Sequence, residues 1–173
     1  MLFRSLSNGD ARSDDGRDTL VNIESLIGST VDADVLKGDG LANLLMGGGG
    51  NDELDGGKGD DTLVGGLGDD RLDGGDGFDT AVFTGNFAEY LFIGGLTVDE
   101  LEVGGPEGND RIHHVERLQF ADQTLAYSAG GDGEDSISGS DDDDLIRGQD
   151  GDDDIHGGVG DDSIAGEIGD DLL

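Results

Sequence analysis

Residues 56–75 read GGKGDDTLVGGLGDDRLDGG. Two nine-residue phrases stand back to back, GGKGDDTLV and GGLGDDRLD. Each opens on paired glycines and has glycine again at its fourth place, aspartate at its sixth and leucine at its eighth. Counting outward in nines gives GGGGNDELD (47–55) before them and GGDGFDTAV (74–82) after. Two looser copies come first, STVDADVLK (29–37) and GDGLANLLM (38–46). The phrase returns at Gly130 as GGDGEDSIS, GSDDDDLIR, GQDGDDDIH, GGVGDDSIA and the eight residues GEIGDDLL.

Two places hold their character through every copy. The eighth is Leu36, Leu45, Leu54, Leu63, Leu72, Ala81, Ile137, Ile146, Ile155, Ile164 and Leu173, always aliphatic. The sixth is Asp34, Asn43, Asp52, Asp61, Asp70, Asp79, Asp135, Asp144, Asp153, Asp162 and Asp171. A disordered Gly/Asp tract has no reason to keep phase at two places at once, whereas a stacked repeat does. Side chains alternate along a strand. A short strand over places seven to nine therefore turns the eighth side chain inward and its neighbours outward.

The totals agree with a repeat that needs cations. The 173 residues carry 42 acids against 9 bases, a formal charge of −33. Residues 29–82 hold 13 of the acids and 3 bases, and residues 130–173 hold 16 and 1, so the repeats account for −25 of that charge. Stacking such turns without counter-ions sets carboxylate against carboxylate. The acidic sign excludes a nucleic-acid surface, which needs basic patches. There is no cysteine, which removes disulfides, thiolate metal sites and cysteine nucleophiles. MLFRSLSNGDARSDDG (1–16) lacks the apolar stretch of a secretory signal peptide. No apolar run is long enough to span a bilayer.

The phrase resembles the calcium-binding nonapeptide of the RTX (repeats-in-toxin, or haemolysin-type) family, over residues 29–82 and 130–173. The resemblance implies an all-β fold: two parallel β-roll arrays joined by a small β-strand linker or cap unit. Two nonapeptides make one coil, and Ca2+ ions lie between turns on the same side, joining repeat n to repeat n+2. Asp52 is then expected to stack with Asp70, Asp61 with Asp79, Asp135 with Asp153, and Asp144 with Asp162. The expected metal residues are Asp52, Asp61, Asp70, Asp79, Asp135, Asp144, Asp153, Asp162 and Asp171. With them come Gly47, Gly49, Gly56, Gly65, Gly74, Gly130, Gly148 and Gly157.

The residue types suit that chemistry. Glycines at places one, two and four allow positive φ and let backbone carbonyls approach an ion. Aspartate adds a charged hard oxygen, and calcium takes six to eight oxygens in flexible geometry. Asn43, in its GDGL turn, and Asp142, at a fourth place, depart from the motif.

Residues 83–129 leave the nine-residue phase and carry most of the aromatics. AEYLFIGGLTVDELEV (88–103) reads as strand, turn, strand. DRIHHVERLQFADQTLAY (110–127) adds one or two short strands. A longer repeat also exists: GRDTLVNIESL (16–26) aligns with GNDRIHHVERL (108–118). The expected division is 1–28, tail of a preceding lead-in; 29–82, first roll; 83–129, linker and cap; 130–173, second roll, ending mid-repeat as in a fragment of a longer chain.

No catalytic residue is expected. HExxH and GxSxG are absent from the sequence. His113, His114 and His156 read as structural or solvated. A carboxylate pair of the glycosidase kind is better explained by the repeat phase. The resemblance implies a secreted, extracellular structural module that passes type I secretion machinery and folds outside on calcium. The alternatives are an adhesive or carbohydrate-binding surface, or the accessory module of a secreted protease, lipase or alginate epimerase.

Overall fold

The computed structural model describes residues 3–5, 24–94, 100–130 and 133–173. It is built almost wholly of short strands. These are β1 (Phe3–Ser5), β2 (Ser25–Ile27), β3 (Val35–Lys37), β4 (Leu44–Gly49), β5 (Glu53–Lys58), β6 (Thr62–Leu67), β7 (Arg71–Asp76) and β8 (Thr80–Val82). A single 3-10 turn, Phe87–Glu89, precedes β9 (Leu91–Gly94), β10 (Glu100–Gly104), β11 (Asn109–His113), β12 (Arg117–Gln119) and β13 (Thr124–Ala129). The series ends with β14 (Ser136–Ser138), β15 (Asp144–Asp150), β16 (Asp154–His156) and β17 (Ser163–Ile168). Most of the lead-in, residues 1–2 and 6–23, lies outside the described residues.

Successive repeats go to opposite sheets. One sheet has nine strands in the order β1-β2-β4-β6-β8-β12-β13-β15-β17, and a second has six, β3-β5-β7-β11-β10-β9. A third holds β14 and β16. Within the repeats every pairing is parallel, and Leu54 faces Leu72 as Leu45 faces Leu63. Two nonapeptides thus complete one coil, as the RTX resemblance implied.

The pleat turns the eighth places into two internal columns. Leu45, Leu63 and Ala81 are fully buried in one, and Leu36, Leu54 and Leu72 in the other. Several strands are longer than the three residues expected. In β5, β6 and β7 the pairing continues from place seven through place three of the next repeat. Place one is then buried on the same face as place eight. Its glycine is required for space: a Cβ at Gly47 or Gly56 would collide with Oδ2 of Asp52 or Asp61. Positive φ belongs to places two and four instead, as at Gly66 (+103°) and Gly68 (+132°).

The linker ends one sheet and continues the other. β9 and β10 pair antiparallel, β10 pairs antiparallel with β11, and this hairpin unit closes the six-stranded sheet. β12 lies parallel to β8, turns back through antiparallel β13, and β13 leads in parallel to β15 of the second array. The nine-stranded sheet therefore runs through both arrays. Residues 110–127 hold parts of three strands where one or two were expected. Phe83, Tyr90 and Phe120 pack with centroids 5.1–5.2 Å apart in the same core cluster as the leucine columns, with Phe87 and Phe92 against them.

The linker also conceals a repeat. GPEGNDRIH, residues 105–113, has glycine at places one and four, aspartate at six and isoleucine at eight. β11 pairs parallel with β7, setting Ile112 opposite Leu72. The interval between partners here is 40 residues where a regular coil takes 18. An insertion carrying the 3-10 turn, β9 and β10 fills the difference.

Candidate metal sites

The two rows of turns are held by one hydrogen-bonding rule. The backbone N–H of each sixth-place residue donates to the sixth-place side chain one coil on. Asp52 N–H donates to Asp70 Oδ1 (2.8 Å), Asp61 to Asp79 (2.7 Å), Asp135 to Asp153 (2.9 Å), Asp144 to Asp162 (3.2 Å) and Asp153 to Asp171 (3.1 Å). Every expected stacking pair is joined this way. Asn43 obeys the same rule, donating to Asp61 Oδ1 at 2.7 Å.

The second carboxylate oxygen is the informative one. Oδ2 of Asp52, Asp61, Asp70, Asp79 and Asp153 is buried with no hydrogen-bond partner. These side chains are at most 3% exposed. A buried carboxylate oxygen without a donor costs more than a hydrogen bond returns. Each Oδ2 points at the first-place glycine of its own repeat. At Gly47, Gly56 and Gly148 the carbonyl oxygen of the first-place residue one coil on lies 2.6–2.7 Å from the same point, where a Cβ would stand. Two oxygens converge there, one a carboxylate and one a carbonyl. Among the described residues no three His, Asp or Glu side chains gather into a metal cluster. An ion held in these turns would therefore draw on main-chain carbonyls as well.

Where the motif departs, the protein supplies its own donor. Asn43 Oδ1 accepts the N–H of Asp39 (2.7 Å), Asp34 Oδ2 that of Ser29 (2.6 Å) and Asp144 Oδ2 that of Ser140 (2.7 Å). Asp39 and Ser140 stand at place two, where glycine is missing, and their backbones do not take positive φ. Asp144 is thus satisfied locally, unlike the other expected metal aspartates of the inner turns. Asp135, Asp162 and Asp171 lie in more exposed turns. Gln149 (φ +77°) and Glu167 (φ +75°) keep the strained place-two conformation without glycine. Gly49 is a buried place-three residue whose N–H donates to Ser29 O at 3.1 Å. Gly65, Gly74, Gly130 and Gly157 each back onto the carboxylate of their own turn.

A profile of the RTX calcium-binding nonapeptide repeat matches residues 30–63, 46–81, 129–164 and 147–173, more than half of the chain. The chain belongs to the RTX calcium-binding nonapeptide repeat family. No curated protein sequence matches it. Among solved structures it is similar to the extracellular lipase LipA from Serratia marcescens, at 18% identity and a TM-score of 0.44. That alignment covers 96% of this chain and 30% of the lipase, so the chain spans under a third of the enzyme's length.

Within the RTX frame two acids went unrecognised in sequence. Asp110, 3% exposed, occupies the sixth place of the concealed repeat and accepts the N–H of Asp70 at 2.9 Å. Glu116 accepts the N–H of Asp79 at 2.7 Å, ahead of β12. The visible signal was GxxGxDxI at 105–112, out of phase with both arrays. Burial, opposed by the backbone hydrogen bond, raises Asp61 and Asp70 to about 6 and Asp110 to about 7. Asp52 and Asp79 are raised for the same first reason. The histidines sit apart from these rows. His113 is half-buried beside Glu100, His114 Nδ1 lies 2.8 Å from Asp73, and His156 is exposed next to Asp154.

Proposed function

We propose that the chain is a calcium-dependent structural module of a secreted protein, folding on Ca2+ outside the cell after export through type I secretion machinery. The observation that carries this is the set of buried, partnerless Oδ2 atoms in the glycine-intact turns. Asp52, Asp61, Asp70, Asp79 and Asp153 would each give that oxygen to an ion. Asp135, Asp162 and Asp171 would do so in looser turns. Carbonyls such as those of Gly65, Gly74 and Gly166 would complete the set. A bound divalent ion converts an unsatisfied buried acid into a ligand and cancels the repulsion between coils. Its binding energy then becomes folding energy. The module has a structural role in this reading, and any catalytic or adhesive activity would belong to further domains.

Circular dichroism during a calcium titration tests the reading. Calcium should produce a cooperative rise of β signal at a midpoint on the order of 0.1–1 mM. Magnesium should not, because it demands a small octahedral shell and sheds water reluctantly. A full β spectrum in excess EGTA would sink the proposal.

Acid should act in opposite directions with and without the metal. The folded-state pKa values of Asp61, Asp70 and Asp110 lie above the unfolded value of about 4. Their contribution to stability is complete below that value and is lost as pH rises through about 6 to 7. In chelator, lowering the pH from about 8 to about 5 should therefore increase β signal. In limiting calcium the same change should weaken binding, since ligand carboxylates must be deprotonated. Parallel responses in the two buffers would contradict this account.

A further inference from the structure

We propose that both rows of ions continue past the first array into residues 105–116, where Asp110 and Glu116 each close one additional calcium site. This rests on the calcium reading above. It concerns a segment that lies outside the stretches matched by the repeat profile.

The regular site at Gly56 sets the standard. There Asp61 Oδ2 and the carbonyl of Gly74 converge on one point, and Asp79 Oδ1 holds the N–H of Asp61 at 2.7 Å. One coil further, the same three parts recur with non-repeat residues. Asp79 Oδ2, fully buried and without a partner, converges with the carbonyl oxygen of His114 on the Cβ point of Gly74. Glu116 Oε2 holds the N–H of Asp79 at 2.7 Å. His114 stands for a first-place glycine and Glu116 for a sixth-place aspartate. One residue separates them where a repeat has four.

The other row also ends on an acid from the linker, and there the atoms nearest the Cβ point of Gly65 all belong to Asp70. Asp70 Oδ2 is buried without a partner, and Asp110 Oδ1 holds the N–H of Asp70. The turn keeps part of the regular pattern, although Gly105 and Gly108 also bond to each other within it. Gly68 N–H donates to Glu107 O (2.7 Å) as Gly50 N–H donates to Leu67 O (2.9 Å), and Arg111 N–H donates to Asp70 O as Arg71 N–H does to Asp52 O. The neighbouring cations point elsewhere: Arg71 pairs with Asp73 and Arg111 with Glu100. Neither Arg71 nor Arg111 neutralises the orphan oxygens. A hard divalent cation fits both places, and it would tie the linker to the first array.

The experiment counts bound calcium by native mass spectrometry and equilibrium dialysis on the whole chain, in wild type, Asp110→Asn, Glu116→Gln and the double variant. Both substitutions keep an acceptor oxygen for the backbone N–H, as the amide oxygen of Asn43 accepts the N–H of Asp39 at a sixth place. Each single variant should lose one ion and the double variant two, with the calcium-saturated β spectrum retained. Folded variants with the wild-type count would overturn the proposal. Wild type that binds no calcium would instead overturn the function on which it rests. Should a variant not fold, Mn2+ line broadening in wild type decides. The amides of Val115 and Asp110 should broaden together with that of Asp61, and sharp linker amides beside a broadened array would refute the two sites.

Discussion

Alanine at Gly66 should markedly lower the melting temperature in saturating calcium, whereas alanine at Gly40 should change nothing measurable. Gly66 has φ +103°, and its absent Cβ would fall against the carbonyl oxygen of Gly48. Gly48 is its ladder partner in β4, so relief would require parting two paired strands. A left-handed conformation costs an L-residue about 1–2 kcal/mol. Forcing a methyl against fixed backbone adds about 1–3 kcal/mol. Together these approach the whole stability of a marginal domain. At Gly40 a Cβ meets nothing within 4 Å, and φ lies outside the left-handed region. Thermal melts in saturating calcium test the pair, and a Gly66→Ala protein melting with wild type would refute the steric account.

Leu63→Ala should raise the calcium midpoint of folding severalfold or more, while Ile164→Ala shifts it little. Leu63 is completely buried between Leu45 and Ala81 in the central column. Truncating such a leucine costs about 2–5 kcal/mol, through lost transfer energy and the cavity left behind. Ile164 holds the same eighth place in β17 but is only half-buried. Under the proposed coupling of folding to ion binding, lost packing energy must be replaced by more ligand. Urea unfolding at fixed calcium measures both changes. Equal losses at the two positions would mean that the eighth places are not graded by burial.

The surface gives little compensation for such losses. Lys37 and Lys58 each reach the acid one coil on, Asp55 and Asp76. These pairs are largely exposed and contribute little in water. Nine bases cannot offset 42 acids, so surface ion pairs within the chain leave most of its charge unpaired.

Much of this was legible in the residues. A nine-residue period is a local property, repeated along the chain, so phase alone assigned Leu63 to the core and Asp61 to the turn. The inward eighth place follows from strand alternation, and the stacking of Asp61 with Asp79 was what the RTX resemblance implied. The role of the first-place glycine was less legible. Its requirement for space arises from an oxygen five residues on and a carbonyl one coil on, contacts that composition does not display.

By itself, then, the sequence determined the repeat, its two buried columns, its acidic rows and its family. Tertiary structure alone decided where the rows end. Asp110 and Glu116 join them through hydrogen bonds spanning 40 and 37 residues, after an insertion that destroys phase. Tertiary structure also separated Asp144, whose Oδ2 takes a local N–H, from Asp153, whose Oδ2 takes none. The physical reason is the same in both cases. Coil-to-coil pairing depends on which backbones lie side by side in space, and a count along the chain loses that information once a loop changes length.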